Sequence, residues 1–350
     1  MKNIVRIISL CILICIAGCA STGQTTQTTD LLSPETPLVW PSPPQSPRIQ
    51  YLKTIAGPAD IGVRKTLMRK AIDALMGTED IEGIMIRPYG IFADTERIYV
   101  TDPGIHALHV YDVSHREYFA IKDAQGLDLL SPIGVAIDKE KAIYISDSIL
   151  RRILVFDRKG KYLRDIGSPD YFIRPAGIAL YGDNIYVVDT HAHHVLAFNR
   201  FTGQLLFTFG KNGTAPGEFN YPTNIFAGKD NRLYIMDSLN FRVQIFDGTG
   251  QWVGSFGRHG NGSGDFSKPK GIAVDSEGHV YVADAVFDIL QIFDREGTLL
   301  LSFGTSGQGK GEMVLPAGVF VDDRDRIYVA DSYNKRIQIF QYLAEKKEIR

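Results

Sequence analysis

An all-β ring of six four-stranded sheets, a six-bladed β-propeller, is the fold class that this 350-residue sequence predicts. Three observations lead there. One unit repeats six times, anchored on Pro88, Pro132, Pro175, Pro222, Pro269 and Pro316, with spacings of 44, 43, 47, 47 and 47 residues. Each unit holds short apolar or alternating segments separated by Asp, Asn and Gly, the pattern of four strands joined by tight turns. The sixth unit ends after RIQIFQYLAEKKEIR without a fourth segment, while a strand-like stretch, QYLKTIA (50–56), stands alone before the first unit.

The elements follow in order. The units begin RPYGIFADTERIYVTD (87–102), SPIGVAIDKEKAIYISD (131–147), RPAGIALYGDNIYVVD (174–189), YPTNIFAGKDNRLYIMD (221–237), KPKGIAVDSEGHVYVAD (268–284) and LPAGVFVDDRDRIYVAD (315–331). GIAVD and its relatives are short and apolar, as inner strands should be. HVYVAD and its relatives alternate and form second strands; RIQIF and its relatives form third strands. Outer strands end in glycine: KYLRDIG (161–167), QLLFTFG (204–210), QWVGSFG (251–257) and TLLLSFG (298–304). QYLKTIA aligns with the last two without a gap. It is therefore expected to complete the sixth blade and close the ring, which covers two edges otherwise left unpaired. The ring spans 48–345 and leaves 346–350 as a tail. A solenoid or two separate domains would leave the orphan strand unexplained.

Before the ring, Lys2 and Arg6 precede an apolar run, Ile7 to Gly18, too short to span a bilayer comfortably. It ends in IAGC (16–19), which resembles the lipobox of bacterial lipoproteins. The resemblance implies a signal peptide over 1–18 and lipid on Cys19. The three cysteines are Cys11, Cys15 and Cys19, so the exported domain would carry no thiol, disulfide or cysteine metal site. Ala20 follows Cys19, and by the rule for Gram-negative lipoproteins the absence of Asp there leans toward the outer membrane. Residues 20–47, rich in Ser, Thr, Gln and Pro, read as a tether with Cys19 at its head, although Leu38, Val39 and Trp40 are apolar enough to dock. IGVRKTLMRKAIDALMG (61–77) carries apolar residues at helical spacing and is the one expected helix, an amphipathic insertion over the top face.

The repeat is not of the WD type, since Gly-His and Trp-Asp pairs do not recur from unit to unit. LPAGVFVDDRDRIYVADSYNKRIQIF (315–340) closely resembles the NHL repeat. The resemblance covers the region after the tether, and the whole chain is similar to bacterial lipoproteins of unassigned function built as six-bladed propellers. It implies a fold, while function depends on the site.

Candidate chemistry is sparse. In NHL-type peptidyl-amidoglycolate lyases, zinc is held by histidines between the proline and glycine that start inner strands. Here that channel mouth is Tyr89, Ile133, Ala176, Thr223, Lys270 and Ala317, without His, Asp or Glu. It also lacks the acidic cluster of calcium-dependent lactonase propellers. His106, His191 and His193 fall in top-face loops and are weak metal candidates. No cofactor is implied. Asp102, Asp147, Asp189, Asp237, Asp284 and Asp331 end every second strand, so they read as blade construction rather than one active site. GTAPGEF, GNGSGDF and GQGKGEM look phosphate-friendly but lack the P-loop lysine and following helix. No G-x-S-x-G elbow occurs.

The loops after the recurrent Asp carry apolar residues: Ile105, Ile149, Leu150, Leu239, Phe241, Val286, Phe287 and Tyr333. Apolar loop tips on one rim suggest a contact patch. The expectation is therefore a lipid-anchored envelope protein, non-catalytic, presenting its top face to an envelope protein partner. Alternatives are a small-ligand or glycan binder using the channel, and a hydrolase or lyase. Nucleic acid is disfavoured by export and by formal charge, −2 for the chain and −4 without Lys2 and Arg6.

Overall fold

The computed structural model describes residues 37–64 and 83–344. The signal segment, Cys19, most of the tether, residues 65–77 of the expected helix, and the tail lie outside the described residues. Six antiparallel sheets form the ring. From inside outward, blade 1 is Ile91–Ala93, Arg97–Asp102, Ala107–Asp112 and Glu117–Ile121. Blade 2 is Pro132–Ile137, Ile143–Asp147, Arg152–Phe156 and Tyr162–Ile166. Blade 3 is Pro175–Tyr181, Asn184–Asp189, His194–Asn199 and Leu205–Phe209. Blade 4 is Pro222–Ala227, Arg232–Asp237, Arg242–Asp247 and Trp252–Phe256. Blade 5 is Pro269–Val274, Val280–Asp284, Ile289–Phe293 and Leu299–Phe303.

Blade 6 draws on both ends of the chain. Pro316–Val321, Arg326–Asp331 and Arg336–Tyr342 are followed outward by Ile49–Ile55, which pairs antiparallel with Arg336–Tyr342. The N-terminal strand closes the ring as its alignment predicts. A fifth strand, Val39–Trp40, then adds outside it. Trp40 packs its ring 5.5 Å from Phe303 and 5.8 Å from Phe340. The ring domain thus takes in residues before 48, because an indole and two strand bonds anchor the end of the proline-rich segment.

The expected helix does not start at Ile61. Pro58–Ile61 forms one 3₁₀ turn, stopped by Gly62 at φ 83°.

The core lies between blades. Tyr99, Tyr144, Tyr186, Tyr234, Tyr281 and Tyr328, one per second strand, are buried. Their hydroxyls need partners once buried, and four donate to the turn aspartates Asp138, Asp230, Asp275 and Asp322 at 2.8–3.1 Å. Each of four inter-blade loops drops one buried side chain, Phe172, Phe219, Phe266 or Met313, into a seam. The glycine-rich loops are part of this fastening. Arg242 donates to the carbonyls of Thr214, Ala215 and Glu218, and Arg336 to those of Gln308, Gly309 and Glu312.

The six strand-end aspartates are buried, and each ties two top loops together. Asp147 accepts from Leu130 and Ser131 N–H, before the inner strand, and from Ile149 and Leu150 N–H, after the second. Asp102, Asp189 and Asp284 do the same in their blades. Such charge-assisted bonds explain why the residue recurs.

Candidate functional site

The inner strands approach one another tightly near the top face. A Cβ on Gly318 of blade 6 would sit 2.1 Å from the Tyr89 carbonyl oxygen of blade 1. One on Gly90 would sit 2.3 Å from that of Ile133, and one on Gly134 2.5 Å from that of Ala176. The glycine after each P-x therefore forms a neck. Blade 4 has Asn224 instead, and its neighbour Thr223 bridges to the Lys270 carbonyl of blade 5 at 3.2 Å.

Of the predicted mouth residues, Tyr89, Ile133 and Thr223 line the channel cavity. Ala176 and Ala317 are buried. Lys270 reaches past blade 6 to place its Nζ 5.9 Å from the centre of the Tyr89 ring. Burial, with Lys268 and Arg87 nearby, holds the Lys270 ammonium below the usual lysine range. Burial pushes the Tyr89 hydroxyl up.

From the neck residues downward the channel holds a cavity of about 610 Å³. Its wall is lopsided. The fourth residue after each blade proline is Phe92, Ala136, Ala179, Phe226, Ala273 and Phe320 in blades 1 to 6. The Phe92 and Phe320 rings lie 4.7 Å apart, and those of Phe226 and Phe320 lie 6.0 Å apart. All three are only partly buried and line the cavity, facing Ala136 and Ala179. Sequence reasoning passed over this wall, although GIFAD, NIFAG and GVFVD show it as aromatic departures from GIAVD.

The cavity continues to the bottom turns, lined there by Asp94, Lys139, Lys141, Lys229, Asp323 and Arg324. Lys139, Lys229, Asp323 and Arg324 are exposed, so the cavity meets solvent on this face. Lys141 pairs with Asp94 at 2.7 Å, and Lys229 with Asp323 at 3.0 Å.

On the top face, the predicted patch divides. Ile149, Leu239, Val286 and Tyr333 are exposed. Ile105, Leu150, Phe241 and Phe287 are half-buried. Leu150 packs on a blade core, and Phe241 does so while lying 4.3 Å from the His259 ring. Ile86, Leu130, Ile173, Tyr221 and Leu315, just before the inner strands, are also exposed. Their signal was an apolar residue within two positions of the blade proline.

The weak metal candidates serve as loop fasteners. His106 Nδ1 lies 2.5 Å from the Leu130 carbonyl oxygen, and His193 Nδ1 accepts from Tyr221 N–H at 3.1 Å. The His191 and His193 rings both sit edge-on to Tyr221. Among the described residues, no group of three or more His, Cys, Asp or Glu is placed to hold a metal ion. Among the same residues, no helix is long and apolar enough to cross a membrane.

Residues 314–340 match the NHL repeat model, and residues 228–291 match a family model described as a 6-bladed beta-propeller. Three solved structures show the same fold. A structural genomics protein of unknown function from Bacteroides thetaiotaomicron shares 15% identity at a TM-score of 0.60, covering 84% of this chain and 75% of that one. An auxiliary nutrient binding protein from Bacteroides ovatus shares 14% at 0.58, covering 76% and 71%. Virginiamycin B lyase from Staphylococcus aureus shares 14% at 0.55, covering 74% and 96%. At these identities the likeness concerns the fold.

Proposed function

We propose that this six-bladed propeller with NHL repeats is a non-catalytic binding protein that takes a small ligand into its central channel. The observation that carries the reading is the lopsided cavity. Three phenylalanines at one register face alanines at the same register, below a glycine neck. A cavity of this size, mostly apolar and edged by a few polar groups, has the features of a small-molecule site. A ring needing only its own core would have no use for a half-exposed aromatic wall. The nutrient-binding description of one protein with this fold is compatible with a binding role.

The test is to isolate the full-length protein from its native membranes and identify small molecules released on denaturation by mass spectrometry. Ala179→Phe fills the open side at a register where blades 1, 4 and 6 already hold Phe, so it should fold and lose the ligand. Ala136→Phe is the second variant. A ligand retained by both folded variants would sink the reading.

The exposed Ile149, Leu239, Val286 and Tyr333 favour a second reading, a protein partner on the top face. A Tyr333→Asp, Ile149→Asp variant should fold and lose any stoichiometric partner. Phe241 is an unsuitable probe because it packs on a blade core, and Phe287 because it is half-buried. Envelope anchoring belongs to the same proposal and rests on the IAGC stretch. Cys19→Ser should release the protein from membranes, and a membrane-bound variant would refute lipidation.

A further inference from the structure

We propose that the channel ligand is an apolar ring acid, entering from the bottom face, with its ring on the Phe92–Phe320–Phe226 wall and its anionic group at the rim between Lys139 and Arg324. The inference rests on the channel reading above and adds the ligand's chemistry and direction.

Two independent features carry it. The first is the wall. Aromatic faces are best covered by another flat ring, stacked or edge-on, and the partly buried Phe rings offer that surface inside the cavity.

The second is the charge of the open end. Its aspartates are already engaged. Asp94 holds Lys141, Asp323 holds Lys229, and Asp322 holds Arg326 at 2.7 Å. Lys139 and Arg324 also line the cavity, from blades 2 and 6 on either side of blade 1. Of the cavity-lining groups at this end, every carboxylate is paired with a cation, while Lys139, beside the exposed Glu140, and Arg324 make no ion pair among the described residues. A cationic ligand gains nothing there, whereas a carboxylate or phosphate gains two charge-assisted bonds.

Spacing agrees. Ala136 to Lys139 is three residues of strand and turn, about 10 Å at the strand rise. A ring seated on the wall can thus place an acid a bond or two away within reach of both long side chains. The exposed rim side chains open the cavity to solvent on the bottom face, whereas at the top the half-buried Lys270 places its Nζ 5.9 Å from the centre of the Tyr89 ring.

The experiment uses the full chain in detergent, with biphenyl-4-carboxylate, its uncharged amide and biphenyl-4-methylammonium as probes, read by calorimetry. The acid should bind at least tenfold tighter than the amide, and the ammonium weakest. Lys139→Ser with Arg324→Ser, both exposed and free of structural bonds through their charged groups, should erase the preference and leave amide affinity unchanged. Ala179→Phe should abolish all binding. Equal affinity for acid and amide, or a preference that survives the double variant, would overturn the ring-acid assignment. Amide binding still blocked by Ala179→Phe would in that case preserve the channel reading. No binding by any probe, with a different class of ligand recovered from the native protein, would also overturn it.

Discussion

Ile55 and Ile337 are strand partners across the closure of the ring, one from the N-terminal segment and one from the last repeat. Both are almost fully buried. A propeller has no hydrophobic centre, since each blade is stabilised by its two neighbours. Closure therefore commits every seam, and the pair joins contacts distant in sequence whose loop entropy is met only once.

Ile55→Ala should accordingly destabilise the whole domain by about 2–5 kcal/mol. Chemical denaturation followed by tryptophan fluorescence checks this, because Trp40 lies on the same blade and Trp252 on blade 4. The two reporters should lose signal together if the ring opens as one unit. Separate transitions would show that closure is local.

The closure was legible in the sequence because an outer strand was missing at one end and spare at the other. The blade aspartates were legible because they recur, and recurrence separates construction from chemistry. The cavity wall was not. Phe92, Phe226 and Phe320 satisfy the apolar pattern of an inner strand as well as alanine does, and only the geometry places three of them on one side. The top patch was half legible. Loop position marks exposure, but it cannot separate Tyr333, which points out, from Phe241, which adopts a left-handed backbone at φ 53° and packs inward.

Asp331, like Asp237, adds an arginine ion pair to its loop bonds. It accepts from Val314 N–H at 2.9 Å, Arg336 Nε at 2.7 Å, and the amides of Asn334 and Gln338. Asp331→Ala leaves a largely covered guanidinium, whose side chain is 13% exposed, and two amides short of an acceptor, so it should cost about 3–5 kcal/mol. Equilibrium unfolding in urea reads the loss. A change below 1 kcal/mol would mean that the carbonyls held by Arg336 suffice.

His279 gives the domain a pH-dependent contact. Its Nδ1 lies 2.9 Å from Asp275 Oδ2, and this bond, against the opposing effect of burial, raises the imidazole above its usual value near 6.5. A raised folded value means that the stabilisation is fully present below that pH and is lost as pH rises through the folded value. The gap in urea midpoint between wild type and His279→Gln should be larger at about pH 5.5 than at about pH 8.5, by under about 1 kcal/mol. Burial lowers His194, which acts in the opposite direction, but it is common to both proteins and cancels. A gap independent of pH would show that the contact is packing alone.

The neck can be tested with two glycines. Gly318 lies where an added Cβ would meet the Tyr89 carbonyl oxygen at 2.1 Å, a backbone atom of the next blade. Gly254, on the outer strand of blade 4, has nothing within 4 Å of that position. Neither has a positive φ, so alanine strains neither backbone by itself. Gly318→Ala must push two inner strands apart and should cost about 1–3 kcal/mol. Gly254→Ala reduces the freedom of the unfolded chain and should be neutral or stabilising by up to about 1 kcal/mol. Thermal melts of the two variants beside wild type decide the matter. If both shift alike, the glycines serve turn flexibility and the inner strands are not in the close contact that forms the neck.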